Sequence, residues 1–147
     1  MTLAKNPRAK FDYEILETLE AGLVLTGQEV KSARAGNLSL KGAHAVLAKN
    51  ELWLLNMHIG AYKKAGVLGN YDPTHSRRLL IHKSELKKLI GTLQSKGLTL
   101  IPVSVYTSGR RLKVELGLAR GKKKHEKRET IKKRDVDREI RRKLLSY

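Results

Sequence analysis

The side chains of this 147-residue chain best suited to chemistry are its histidines, its carboxylates and its many cations. His44, His58, His75, His82 and His125 are scattered, with no i,i+4 pairing and no H-E-x-x-H helix that would seat zinc. No G-x-S-x-G elbow presents a serine nucleophile, and the absence of cysteine excludes disulfides, thiolate zinc sites and cysteine nucleophiles. Glu20 and Glu29 lie on either side of a strand-to-helix change, which offers no reason for two carboxylates to converge as an acid–base pair. Gly117-Leu118-Ala119-Arg120-Gly121-Lys122-Lys123 has the look of a phosphate-cradling loop. Its glycines are too close together, however, and Lys123 stands where Ser or Thr would hold Mg²⁺. No catalytic, metal or cofactor constellation emerges, and a non-enzymatic protein without cofactor or small-molecule ligand is expected.

The cations are another matter. Lys plus Arg number 31 against 14 Asp plus Glu, a formal net charge of +17. Such an excess repels itself in a compact chain and calls for a polyanionic partner. Residues 1–119 carry 18 basic and 9 acidic residues, and residues 120–147 carry 13 and 5, so the last segment is several times denser in charge. Lys122-Lys123-Lys124-His125-Glu126-Lys127-Arg128 is the densest run. Beyond it Val136, Ile140 and Leu144 fall at i, i+4 and i+8, so a helix would gather them on one thin stripe with Arg and Lys around it. A segment this polar cannot offset its own ordering entropy. A tail that is disordered when free and helical when bound to RNA is expected. Lacking Trp or Phe, the stripe suits a membrane surface poorly. A second cationic patch is expected from Asn6, Arg8 and Lys10 of an N-terminal arm, joined by Lys31 and Arg34. Aromatics are few (one Trp, one Phe, five Tyr), so recognition by backbone, 2′-OH and shape is expected, which favours folded RNA.

These groups need a scaffold. Phe11, Tyr13 and Ile15 alternate with Asp12 and Glu14, predicting a strand that runs on through Leu25. Thr26 followed by Glu29 is a capping box for a helix to Arg34. Leu38–Ala48 and Glu51–Ile59 read as a hairpin turning at Lys49-Asn50, and Arg77–His82 as a short strand. Lys83–Lys96 is the clearest helix, with Leu86, Leu89, Ile90 and Leu93 on one face and Gly97 after the last turn. Leu98–Tyr106 and Arg111–Ala119 close the order around Ser108-Gly109, with Val114, Leu116 and Leu118 inward. The fold class is therefore mainly β with two or three helices: an OB-like closed Greek-key barrel over residues 1–119, then the basic tail 120–147. The element order alone also permits an open α+β sheet. Met1–Tyr13 has no apolar stretch of the signal-peptide kind, and no apolar run approaches bilayer length, so a cytoplasmic protein without membrane partner is expected.

The run Glu20-Ala21-Gly22-Leu23-Val24-Leu25-Thr26-Gly27-Gln28-Glu29-Val30-Lys31-Ser32-Ala33-Arg34-Ala35-Gly36 resembles the signature of the small protein B (SmpB) family of SsrA-binding proteins. The resemblance continues in Asp72-Pro73-Thr74, in Arg77-Arg78-Leu79-Leu80 and in Gly117 to Arg128. It implies an OB-fold barrel that binds the tRNA-like domain of transfer-messenger RNA (tmRNA). Such a protein accompanies that RNA to bacterial ribosomes stalled on mRNA without a stop codon, as a monomer standing in for the anticodon arm. The resemblance also implies a tail that becomes helical in the empty mRNA channel, against small-subunit rRNA. By position, Asn6, Glu20 and Leu80 match residues implicated in tmRNA binding. Gly121, His125, Glu126, Lys127 and Arg128 match the part of the tail placed near the decoding centre. Because a carboxylate cannot pair with phosphate, Glu20 is expected to accept from a base edge or 2′-OH, or to orient a neighbouring Arg. Pro7, Phe11, Ala33 and Val136 depart from the family pattern. The rival readings are a ribosomal structural protein or general RNA chaperone and, more weakly, an RNA-processing enzyme.

Overall fold

A computed structural model describes residues 1–62 and 70–121, apart from the side chains of Ser95 and Lys96. The expected tail contacts Lys122, Lys123, Lys124, His125, Glu126, Lys127, Arg128, Val136, Ile140 and Leu144 lie outside the described residues. In chain order the elements are β1 (Thr2–Lys5), α1 (Ala9–Asp12), β2 (Tyr13–Leu23), α2 (Gly27–Arg34), β3 (Leu38–Ser39) and β4 (His44–Ala48). They continue with β5 (Glu51–Leu55), β6 (His58–Ile59), β7 (Arg77–Leu80), α3 (Lys83–Lys96), β8 (Thr99–Ser108) and β9 (Arg111–Gly121).

Six antiparallel strands close a ring in the order β8-β4-β5-β7-β2-β9 and back to β8. Closure rests on two seams of unequal length. The long one joins β8 to β9 from Thr99 through Ser108, and the short one is the single pairing of Ala45 with Leu100. The connection from β7 through α3 to β8 passes over β2 and β9, which is the Greek-key step, so the mainly-β barrel expected from the sequence is present and the open sheet is not. Inward side chains fill the ring: Leu52, Leu54, Leu79, Leu100, Val105, Val114, Leu116 and Leu118, with Met57 and Ile59. Helix α3 supplies Leu89 to this core, with Leu93 packed beside it.

Local signals hold where expected. Thr26 Oγ1 accepts the Glu29 amide and Glu29 Oε1 accepts the Thr26 amide, both at 3.2 Å, completing the capping box of α2. Gly97 is left-handed at φ 60° and ends α3. Lys49 and Asn50 both take positive φ, the geometry of a two-residue hairpin turn, between the paired Ala48 and Glu51.

Two expectations are corrected, for the start of the first strand and for the hairpin strands. Phe11 and Asp12 are not in a strand: residues 9–12 form one helical turn, in which buried Ala9 packs with Ile101 and Ala119. Ahead of that turn, Thr2–Lys5 form a strand on β8 that the sequence does not announce. The short β4 covers β8 only at Leu100. The edge at Ser104–Tyr106 is left open, and an unpaired edge is a template for another strand. The long strands expected over Leu38–Ala48 and Glu51–Ile59 are each broken, at Gly42 (φ 77°) and at Asn56 (φ 63°), so that β3 and β6 pair apart from the barrel. Ala33 is a fully buried residue of α2.

Candidate RNA interface

Alternation along the strands divides the ring into an apolar interior and an outward face. Register then places the outward residues of neighbouring strands side by side. Gly22 of β2 is paired with Leu80 of β7 on one side and with Lys113 of β9 on the other, and Lys113 is paired with Tyr106 of β8. Glu20 stands one outward position along β2 from Gly22 and bridges two of these strands. Its Oε1 accepts Lys113 Nζ at 2.5 Å and its Oε2 accepts the Tyr106 hydroxyl. The hydrogen bond from Lys113 and then that from Tyr106 hold the Glu20 carboxyl below its ordinary range. Partial burial, reinforced by the bond to Glu20, pushes the Tyr106 phenol up to about 12. At neutral pH Glu20 is therefore an anion and Tyr106 keeps its proton.

Both Glu20 oxygens thus have donors from the protein itself. The groups left facing outward are the ring of Tyr106 and the remaining N–H donors of Lys113. A groove of about 630 Å³ runs beside them, lined by Leu80, His82, Arg110, Arg111 and Lys113 among others. Leu80 is 52% exposed at its edge. An isolated exposed carboxylate on such a surface would repel phosphate. Here it accepts from a lysine and a tyrosine, not from the neighbouring Arg that was one of the expected partners beside a base edge or 2′-OH. Glu20→Ala should weaken RNA binding on the order of tenfold, and the loss should vanish in a Lys113→Met/Tyr106→Phe background, because coupled residues are non-additive. A double-mutant cycle read by RNA titration checks this. An undiminished Glu20 effect in that background would mean that the carboxylate touches RNA directly.

The other expected contacts fall into two separate places. Asn6 is half-buried at a bulge in β8. Its amide donates to the Pro102 carbonyl at 2.9 Å, its Oδ1 accepts the Arg8 amide at 3.1 Å, and its own N–H donates to Val103. Proline fits the bulge because it has no ladder donor to lose. Arg8 lies over the Phe11 ring at 5.2 Å and faces Asp12 at 3.9 Å, and Lys10 is exposed nearby on α1. Arg34 instead reaches the β8–β9 turn, donating to the Arg110 carbonyl at 3.1 Å, while Lys31 lies over the Tyr62 ring at 5.7 Å. Pro102 and Arg110 are separated by roughly 25 Å of extended strand. The arm and α2 therefore do not merge into the single patch expected. Arg34 belongs with the Glu20–Leu80 groove, and Asn6, Arg8 and Lys10 form another cationic corner. Gly121 is the last residue of β9, paired with Tyr13.

The sequence reading missed Tyr106, Lys113, Arg110 and Arg111, and also a buried polar cluster. Arg77 is 1% exposed and Glu29 2%. Arg77 Nε donates to Glu29 Oε2 at 2.8 Å, Nη1 to the Met57 and His75 carbonyls, and Nη2 to the Pro73 carbonyl and the Tyr71 oxygen. All five guanidinium donors are used. Tyr71 has one hydroxyl proton, and the 2.7 Å contact to the Ile59 carbonyl takes it in preference to the 3.3 Å contact to Glu29. His75 Nε2 meets Glu29 Oε2 at 2.9 Å. The cluster ties the start of α2, the end of β6 and the 71–76 segment to β7. Its signal was the period of Arg77-Arg78-Leu79-Leu80: with Leu79 inward, Arg77 must be inward too. Among the described residues no group of three or more His, Asp or Glu is placed to hold a metal, and no helix is long and apolar enough to cross a membrane.

Fold and face together define an OB-like barrel whose outward sheet carries positioned cations beside an exposed apolar edge. The family model described as SmpB protein matches residues 3–146. An SsrA-binding protein of Gloeothece citriformis is 49% identical over 145 residues, covering 99% of this chain and 94% of that one. That of Coprothermobacter proteolyticus is 52% identical over 141 residues, covering 95% and 94%. A chain in a solved structure described as “tmRNA-SmpB: a journey to the center of the bacterial ribosome” is 51% identical with a TM-score of 0.66, covering 82% of this chain and 84% of that one. This chain belongs to the SmpB family.

Proposed function

We propose that this protein is a tmRNA-binding adaptor for trans-translation: it binds the tRNA-like domain of tmRNA and delivers it to stalled ribosomes, without catalysing a reaction itself. The near full-length identity to SsrA-binding proteins carries this reading. The outward groove supports it, because it offers Lys113, Arg110 and Arg111 in a chain of net charge +17, with Tyr106 held next to it by Glu20. In this reading Glu20, Leu80 and Arg34 serve one RNA contact, and Asn6 shapes the bulge beside which Arg8 and Lys10 meet phosphates. The barrel holds tmRNA in place of an anticodon arm, as a monomer in the cytoplasm. The tail beyond it, including Lys122–Arg128 and the Val136, Ile140 and Leu144 stripe, probes the empty mRNA channel and decoding centre.

The test is competition between the tmRNA tRNA-like domain and excess ordinary tRNA across a salt series. A patch touching ~4–6 phosphates loses affinity steeply with salt for either RNA. Preference for the tmRNA domain should persist at physiological salt. Equal binding that collapses together would leave only a generic basic RNA binder.

A further inference from the structure

We infer that the outward row Val46–Trp53–Arg78–Val24 is a second RNA subsite that takes an unpaired nucleotide, its base on the Trp53 indole and its phosphate on Arg78. The inference rests on the adaptor reading and extends it to a neighbouring row of outward residues that reading does not use.

Leu52 and Leu54, on either side of Trp53, are 2% and 0% exposed, so the strand's alternation turns the indole to the outer face, where it is half-buried. Val46 of β4 is its register partner on one side and Arg78 of β7 on the other. The Val24 amide donates to the Arg78 carbonyl at 3.1 Å, which continues the row onto the end of β2. The four side chains therefore lie across four adjacent strands, a span of roughly 14 Å. Val24 is 47% exposed, and the Arg78 side chain is 51% exposed. The row is continuous with the proposed tmRNA contact, because Leu80 is the next outward residue of β7 after Arg78 and Gly22 the next outward residue of β2 before Val24.

A surface of this composition matches nucleic acid better than a protein partner. An indole face stacks on any base, and an arginine one strand away meets the attached phosphate with a bidentate fork. The ion pair that Arg78 makes with Glu51 is long, at 3.5 Å, and exposed, so a phosphate can replace it at little cost. The whole chain's charge of +17 draws the backbone in. The nucleotide must be unpaired, because bases inside a helix have both faces covered by their neighbours.

Trp53 is the single tryptophan of the chain, so indole emission reports on this row alone. Full-length protein is titrated with a fluorescein-labelled tmRNA tRNA-like domain, with anisotropy measuring occupancy and emission measuring stacking. Emission should be quenched in step with anisotropy. A short single-stranded adenosine oligomer should quench it too, and a blunt RNA duplex of the same length should not. Trp53→Leu should lower affinity roughly five- to a hundredfold, with Trp53→Phe restoring most of it. Arg78→Gln should reduce the salt slope by about one. Unchanged emission at saturating anisotropy overturns the subsite and leaves the adaptor reading standing. Equal quenching by the duplex overturns the unpaired nucleotide. No binding by anisotropy overturns the adaptor reading, and this one with it.

Discussion

Arg77→Met should destabilise the barrel by about 3–5 kcal/mol, measured as the shift in urea-unfolding free energy at neutral pH. Methionine fills much of the volume but removes five donors, and it strands the Glu29 carboxylate at 2% exposure without its buried counter-charge. The Met57, His75 and Pro73 carbonyls lose their donors at the same time. Glu29→Gln in the Arg77→Met background should recover part of the loss, because the uncompensated charge is gone even though the carbonyls stay orphaned. A loss below about 1 kcal/mol would mean that water replaces the guanidinium freely and that the cluster does not hold α2.

The pH dependence of the two proteins should have opposite sign. Burial by itself would raise the Glu29 carboxyl, but the Thr26 amide, followed by Arg77 and His75, outweighs it and holds the group below its ordinary value. A carboxyl more acidic in the folded than in the unfolded chain stabilises the fold above the unfolded value. That contribution is lost as pH falls through the folded value. The wild-type protein should therefore weaken on acidification below about pH 4.3, the unfolded Glu value. In Arg77→Met burial remains and the main counter-charge is gone, so the carboxyl rises above its ordinary range. That variant should gain stability relative to wild type as pH is lowered from neutral. Parallel stability profiles for the two proteins would show that Glu29 is already neutral or well hydrated.

Truncation after Gly121 should leave affinity for the tmRNA tRNA-like domain within a few-fold of the full chain and abolish tagging on a nonstop message in reconstituted translation. The cut removes 12 basic and 5 acidic residues, so the remaining binding should also show a shallower salt slope. Its position matters. A cut after Ala119, where charge density alone puts the boundary, would remove Arg120 and Gly121, which pair with Glu14 and Tyr13 along β2. The Arg120–Glu14 ion pair would go with them. That cut confuses an unravelled strand end with a missing tail. Proportional loss of binding and tagging after Gly121 would argue against dividing the work between barrel and tail. Tagging that survives would remove the tail from the signal altogether.

Local sequence settles what a few neighbouring residues can decide among themselves. Helix α3 runs from Lys83 to Lys96, as its apolar spacing and Gly97 predict. The Thr26–Glu29 box starts α2, the Lys49-Asn50 turn folds its hairpin, and Val114, Leu116 and Leu118 face inward by alternation alone. Each depends on contacts one to four positions apart, which hold whatever the rest of the chain does. The tertiary structure alone decided what depends on distant partners. Thr2–Lys5 becomes a strand because β8 has an edge that the short β4 leaves open. Ala9–Asp12 turns helical because Ala9 must pack on Ile101 and Ala119. Glu20 looks from the sequence like a carboxylate misplaced in a basic protein. It becomes a positioning group only when the register of β2, β9 and β8 sets Lys113 and Tyr106 beside it. Residues 86 and 93 positions away leave no local trace in composition or period, because ring closure, and not spacing along the chain, brings them together.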